Sequence, residues 1–199
     1  MTDLIEQFKI ALKFLIIITL LTGLIYPSLV TLLAQGFFPW KANGSILTVD
    51  GKKTGSLLIG QYFSEAKYFW GRQSVTARFP YDAGYSAGYT VALSNPSYLA
   101  GVRATVDTLH TADPQQSQLI PADLVTTSAS GLDPDISPAA AFYQVSRIAR
   151  VRNLPENVVT DLVRHFIQGR TFGFLGAPRV NVLELNLALD RLKMRQDIP

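Results

Sequence analysis

The chain has 199 residues, 18 basic against 15 acidic side chains, two histidines and no cysteine. Without cysteine there is no disulfide framework, no thiolate nucleophile and no thiolate-bound zinc or iron–sulfur centre, and two distant histidines leave little for other metal chemistry. The net charge of +3 is scattered, with acidic residues between the basic ones, so nucleic acid has no electrostatic footprint here.

The strongest single signal lies between Lys13 and Lys41, where residues 14–40 carry no charge. An apolar helix needs about 20 residues to cross a ~30 Å hydrocarbon core, because a backbone in lipid must satisfy its own hydrogen bonds. A cleaved signal has an apolar region of only about 7–15 residues ahead of a small-residue cleavage pattern. Ala34-Gln35-Gly36 imitates such a site, but the run from Phe14 to Leu33 is too long for it. The expected organisation is a short tail over 1–13, a transmembrane helix over 14–36 and one soluble domain over 37–199. Lys9 and Lys13 precede the span while Lys41, Lys52 and Lys53 follow it, so the positive-inside rule does not orient it. Within the span, Thr19, Gly23, Pro27 and Thr31 recur four apart among leucines and isoleucines. Small residues at helical spacing let spans approach closely in lipid, so this stripe is expected to pack against a neighbouring helix.

Beyond the span, Ser45 to Gly60 reads as a hairpin, with Ser45–Val49 and Ser56–Gly60 as strands and Asp50-Gly51 at the turn. An aromatic cluster follows, Tyr62, Phe63, Tyr68, Phe69 and Trp70, closing on Gly71-Arg72. Residues 73–95 hold no sustained period and are expected as an ordered loop.

Helices then dominate. Asn95-Pro96 caps one whose inward positions are Leu99, Val102, Val106 and Leu109. Ser137-Pro138 starts another, carrying Phe142, Val145, Ile148 and Ala149 inward with Arg147 and Arg150 beside them. A third follows Pro155, with Val158, Val159, Leu162, Val163, Phe166 and Ile167 as its apolar face and Gly169 as its stop. The last starts at Asn181, where Glu184 completes a capping box, and buries Val182, Leu185, Leu189 and Leu192. The fold class expected is an α/β (α+β) soluble domain with four amphipathic helices and a few short strands, anchored by one N-terminal transmembrane helix.

Several motifs point to chemistry and lack its context. Gly84-Tyr85-Ser86-Ala87-Gly88 matches the nucleophile pattern of serine hydrolases, which requires an apolar strand before it and a helix after it. Arg78-Phe79-Pro80-Tyr81-Asp82-Ala83 is no such strand, so a membrane-anchored hydrolase using Ser86 stands only as the alternative. Gly51-Lys52-Lys53-Thr54 resembles the end of a phosphate-binding loop, but Ile46 stands where the motif needs glycine. His110 and His165 are expected as ordinary helix residues. Asp133 and Asp135 sit before a helix start, where acidic groups suit the helix dipole.

Taken in order, several blocks resemble the C subunit of the Kdp-type potassium-transporting P-type ATPase of bacteria. They are Phe38-Pro39-Trp40 with Ala42-Asn43-Gly44-Ser45, Leu58-Ile59-Gly60-Gln61, Tyr68-Phe69-Trp70-Gly71-Arg72 and Ser94-Asn95-Pro96. Ile120-Pro121-Ala122-Asp123-Leu124-Val125-Thr126, Ser128-Ala129-Ser130-Gly131-Leu132-Asp133 and residues 182–190 follow. Gln73 and the Ser86-Ala87-Gly88-Tyr89 run depart from the family's pattern. The resemblance implies a subunit without catalytic residues, metal or cofactor of its own, served by ATP only through the complex. Its implied partners are a potassium-binding channel-like subunit, a P-type ATPase subunit, a small single-span subunit and the lipid bilayer. The implied location is the bacterial cell (inner) membrane, single-pass, with the amino terminus cytoplasmic and the domain extracytoplasmic. The family is also described as a catalytic chaperone raising the nucleotide affinity of the ATPase subunit, and Gln144 matches the glutamine implicated in nucleotide binding.

Overall fold

The structure, a computed structural model, describes residues 2–49, 51–88 and 92–196. The chain divides into two compact units, Met1–Ile46 and Leu47–Pro199.

The first unit is built on a helix long and apolar enough to cross a membrane, Asp3–Phe37, 35 residues with none of its most apolar stretch buried. At about 1.5 Å per residue it measures ~52 Å, well beyond a ~30 Å hydrocarbon core, so charged Asp3, Glu6, Lys9 and Lys13 ride on the same helix ahead of the apolar run. It comprises α1 (Thr2–Leu20), a π-helical turn (Leu21–Ile25) and α2 (Tyr26–Phe37). Pro27 explains the wide turn: it has no N–H, and its ring crowds the carbonyl of Gly23 four residues earlier. The Tyr26 N–H accordingly reaches back to the Leu21 carbonyl, five residues away. The helix ends at Phe38, and α3 (Pro39–Ala42) starts on a proline that needs no donor. Gln35 and Asn43 exchange side-chain hydrogen bonds of 3.3 and 3.1 Å, and Trp40 Nε1 donates to the Ile46 carbonyl at 3.1 Å.

In the second unit β1 (Ile46–Val49) pairs with β2 (Lys52–Ser56). Asp50 lies outside the described residues, and Gly51 takes the positive φ of +76° expected of the turn. The second strand is Lys52–Ser56 rather than Ser56–Gly60, because a tight turn pairs the residues that immediately follow it. Lys52 and Lys53 are therefore exposed strand residues. The described parts of 73–95 form no helix or strand beyond one bridge from Gln73 to Thr127; residues 89–91 lie outside the described set.

Helix α4 (Pro96–Ala112) begins where Asn95 accepts the Ser97 N–H at 2.9 Å. It packs on the short α5 (Ala122–Val125) and buries Leu109; Val102 and Val106 are half-buried and Leu99 is exposed, so its inward face is shorter than its periodicity suggests. The core lies further on. β3 (Asp135–Ile136), β4 (Ile167–Gln168) and β5 (Arg179–Asn181) form an antiparallel sheet of order β3-β5-β4, with Ile136 and Ile167 both opposite Val180. Helices α6 (Pro138–Tyr143), α8 (Glu156–Phe166) and α9 (Val182–Gln196) pack on β5, and α7 (Val145–Arg152) packs on α8. Ile148, Val159, Val163, Val180, Leu185 and Leu189 are wholly enclosed.

Local chemistry places the ends of these helices. Ser137 accepts the Ala140 N–H at 3.0 Å, and Asn181 accepts the Glu184 N–H at 3.1 Å. Asn153 closes α7 in the left-handed region. Three expectations are corrected. The helix from Pro138 is broken in two at Gln144, leaving Phe142 outward. The third helix stops at Phe166 because Ile167 turns to pair with β5, so Gly169 is not its stop. Phe166 is half-buried at the core's margin, not central. Asp133 shapes the turn ahead of α6, accepting the Asp135 N–H at 3.0 Å, and Asp133 and Asp135 also pair with arginines, Arg72 and Arg179, each at 3.0 Å.

Candidate functional site, a pinned aromatic segment and the cleft beside it

Tyr68 to Arg72 forms neither helix nor strand, yet Phe69 is completely enclosed. An irregular buried backbone must find partners elsewhere, because an unpaired N–H or C=O away from water is costly. Here side chains supply them in place of a neighbouring strand. Asn186 on α9 brackets Phe69, accepting its N–H at 2.8 Å and donating to its carbonyl at 3.0 Å. Gln144, between α6 and α7, does the same for Trp70, accepting its N–H at 2.8 Å and donating to its carbonyl at 3.1 Å. The Gln144 amide donates also to the Ala140 carbonyl at 3.1 Å.

Two arginines of α7 complete the clamp. Arg147, buried, donates to the carbonyls of Ala66 and, at 3.1 Å, Tyr68, and to Gln144 Oε1 at 2.7 Å. Its guanidinium lies 4.2 Å over the Trp70 ring, a cation–π contact in a desolvated place. Burial pulls its pKa down to about 10, which still leaves it charged at neutral pH. Arg152 donates to the Lys67 carbonyl at 2.7 Å and to Asp190 at 2.7 Å, and Tyr68 donates its hydroxyl to the same carboxylate at 3.1 Å. Burial first, and then the Asp190 charge, raises the Tyr68 pKa.

Beside the clamp lies a cleft of about 290 Å³ whose walls include Phe63, Trp70, Arg72, Tyr81 and Leu109. Arg72 binds Asp133 and the Thr127 carbonyl, both at 3.0 Å, while its Nε is buried without a partner. Tyr81, at a left-handed φ of 61°, donates its hydroxyl to the Arg72 carbonyl, and burial pushes its pKa well up. Its ring closes on Gly60, where a Cβ would come within 2.3 Å of Cε1, so only glycine fits that approach.

The residues singled out in the sequence fall apart in space. Gln144 is 1% exposed and its amide is committed to the protein's own backbone and Arg147. Thr19, Gly23, Pro27 and Thr31 lie on the helix of the other unit. Ser86 is exposed and donates to the Ser130 carbonyl at 3.0 Å, with no strand before it among the described residues. Among the described residues around it there is no strand-to-helix turn of the kind that activates a nucleophile, so the hydrolase reading is not supported. His110 and His165 are exposed on α4 and α8, the latter edge-on to Phe166 at 5.4 Å. Among the described residues no group of three or more His, Cys, Asp or Glu could hold a metal. Sequence reasoning missed Asn186 and the clamping role of Arg147; their signal is a polar residue on the inward face of an otherwise apolar helix.

A family profile described as K+-transporting ATPase, c chain, matches residues 8–191. The potassium-transporting ATPase KdpC subunit of Methylococcus capsulatus is 55% identical over 190 residues, 96% of this chain and 100% of that one. Those of Herpetosiphon aurantiacus, 52% identical with 94% and 96% covered, and Paraburkholderia phytofirmans, 51% with 89% and 92% covered, are similar throughout. Since the match takes in both the long apolar helix and the clamped unit, the chain belongs to the KdpC family, the c chains of K+-transporting ATPases.

Proposed function

We propose that the chain is a non-catalytic accessory subunit that stabilises an ATP-driven potassium uptake pump in the bacterial cell membrane. The observation that carries this reading is the family match over 8–191. Residues 14–36 cross the bilayer once, the tail 1–13 is cytoplasmic, and 37–199 form the outer domain. The neighbours are the channel-like potassium-binding subunit, the P-type ATPase subunit and the small single-span subunit. ATP is bound by the ATPase subunit, on the other side of the membrane from this domain. An effect of this subunit on nucleotide affinity is then a coupling free energy passed through the spans, not a contact with Gln144. The enclosed Gln144 amide supports that assignment.

The Thr19, Gly23, Pro27 and Thr31 stripe is the packing element of the span. Positions four apart drift by about 40° per step on an α-helix, and a turn absorbing one extra residue winds the later ones back by about 100°. The π turn at Leu21–Ile25 thus draws the four positions into a narrower line. A Cβ on Gly23 would meet only Thr19 Cγ2, at 4.0 Å, so a neighbouring helix has room to approach.

Two experiments test the reading. Gly23→Leu keeps hydrophobicity and insertion but holds a neighbour away; recovery of the pump subunits with the tagged chain after mild detergent extraction should fall about fivefold. Leu20→Ile should change nothing. Equal recovery of parent and Gly23→Leu removes the stripe from the interface, and recovery of no pump subunit with the parent overturns the accessory role. For topology, a reporter enzyme active only after export, fused behind Pro199, should be active. Activity solely from a cytoplasm-requiring reporter would reverse the orientation.

A further inference from the structure

The cleft beside the clamp is walled at a conformational cost. Buried Leu109 and Leu124 line it together with the rings of Phe63, Trp70 and Tyr81. Tyr81 holds a left-handed φ of 61°, which strains a bulky residue, while its ring closes on Gly60 and its hydroxyl binds the Arg72 carbonyl. Strain of this kind persists only where the surroundings hold it, and such positions gather at ligand sites. Polar groups within the cleft are already engaged. Thr105 and Thr108 donate to the Gly101 and Ala104 carbonyls of their own helix at 3.0 and 2.8 Å, Ser74 to the Gly131 carbonyl at 2.7 Å and Trp70 Nε1 to the Glu65 carbonyl at 3.0 Å. The Arg72 charge is met by Asp133. A charged occupant would therefore give up its hydration and find no replacement.

Two side chains of the lining remain uncommitted. Ser64 and Gln73, both exposed, have no side-chain hydrogen-bond partner among the described residues. We propose that the cleft receives one uncharged aromatic ring bearing a hydrogen-bonding substituent, with the ring against Phe63, Trp70 and Tyr81 and the substituent at Ser64 and Gln73. Pockets that hold small groups have this make-up, an apolar and aromatic lining with a few placed polar groups. The size fits. A cavity of about 150 Å³ holds benzene, so about 290 Å³ takes a ring with its substituent. Aromatic walls select a ring over an aliphatic chain, because tilted and offset ring contacts add attraction beyond the area buried. The same chemistry is offered by a side chain of another protein and by a free molecule.

The probe is N-acetyltyrosinamide, an uncharged phenol, added to the full chain in mild detergent. Trp40→Phe leaves Trp70 as the one tryptophan, so its emission, excited where a phenol does not absorb, reports on the cleft. That emission should change saturably, with half-saturation below about 1 mM. Thr108→Phe, at an exposed position of the lining, fills the cleft and should weaken binding about tenfold or more. Gln73→Ala removes a partner of the substituent and should weaken it about threefold. Both variants should melt like the parent. The anion 4-hydroxyphenylacetate should bind about tenfold more weakly than the neutral probe. A change that does not saturate, half-saturation in both variants equal to that of the parent, or an anion that binds as well as the neutral probe overturns the receptor. Recovery of the other pump subunits with tagged Thr108→Phe separates the sources: a loss of about fivefold or more assigns the ring to a side chain of one of them, and equal recovery assigns it to a free molecule.

Discussion

Gln144→Ala is expected to lower the melting temperature of the full chain in mild detergent by on the order of 10 °C. The substitution leaves the Trp70 N–H and carbonyl unpaired and takes an acceptor from buried Arg147. Each unpaired buried group costs roughly 1–3 kcal/mol, and partial exposure of Trp70 keeps the sum near about 2–4 kcal/mol. Trp70 fluorescence is the natural probe, because its ring loses the guanidinium held 4.2 Å away by that network. Gln144→Glu should be milder: a carboxylate still accepts from Trp70 and Arg147 but no longer donates to the Trp70 and Ala140 carbonyls. A calorimetric titration of the parent with ATP should show no Gln144-dependent binding. An unchanged melt together with tight, Gln144-dependent nucleotide binding would sink the clamp and restore the ligand role.

Phe69→Ala should cost about 3–5 kcal/mol, because its ring is wholly enclosed and Asn186 keeps the backbone from collapsing into the space left. Phe166→Ala should cost less, about 1–2 kcal/mol, since that ring is only partly buried against the core. The comparison is made by denaturant or thermal unfolding of the two variants side by side. A larger loss for Phe166 than for Phe69 would move the centre of the core to the end of α8.

Helix α8 shows where periodicity misleads. Val158, Val159, Leu162, Val163, Phe166 and Ile167 look like one broad buried face, yet only Val159 and Val163 are fully enclosed. The end of that face belongs to the point where the chain leaves the helix for β4, and that departure is caused by β5, a strand the sequence reading did not include. Likewise α4 has a sound helical pattern but little to pack against except α5, so its pattern overstates its burial. The hairpin erred for a different reason: the more apolar run, Ser56–Gly60, looked like the better strand, and the turn chose the lysine-bearing one instead.

What the sequence determined by itself is local. An uncharged run long enough to cross lipid makes a helix because each of its backbone groups finds its partner within a few residues. The caps at Asn95, Ser137 and Asn181 are legible for the same reason, as donor and acceptor lie two or three positions apart. The clamp was decided only in three dimensions. Trp70 is held by a residue 74 positions away and Phe69 by one 117 away, and an irregular segment advertises no period from which such partners can be read. Any buried amide or guanidinium can satisfy a lone peptide group, so which one does so depends on how α7 and α9 pack around it.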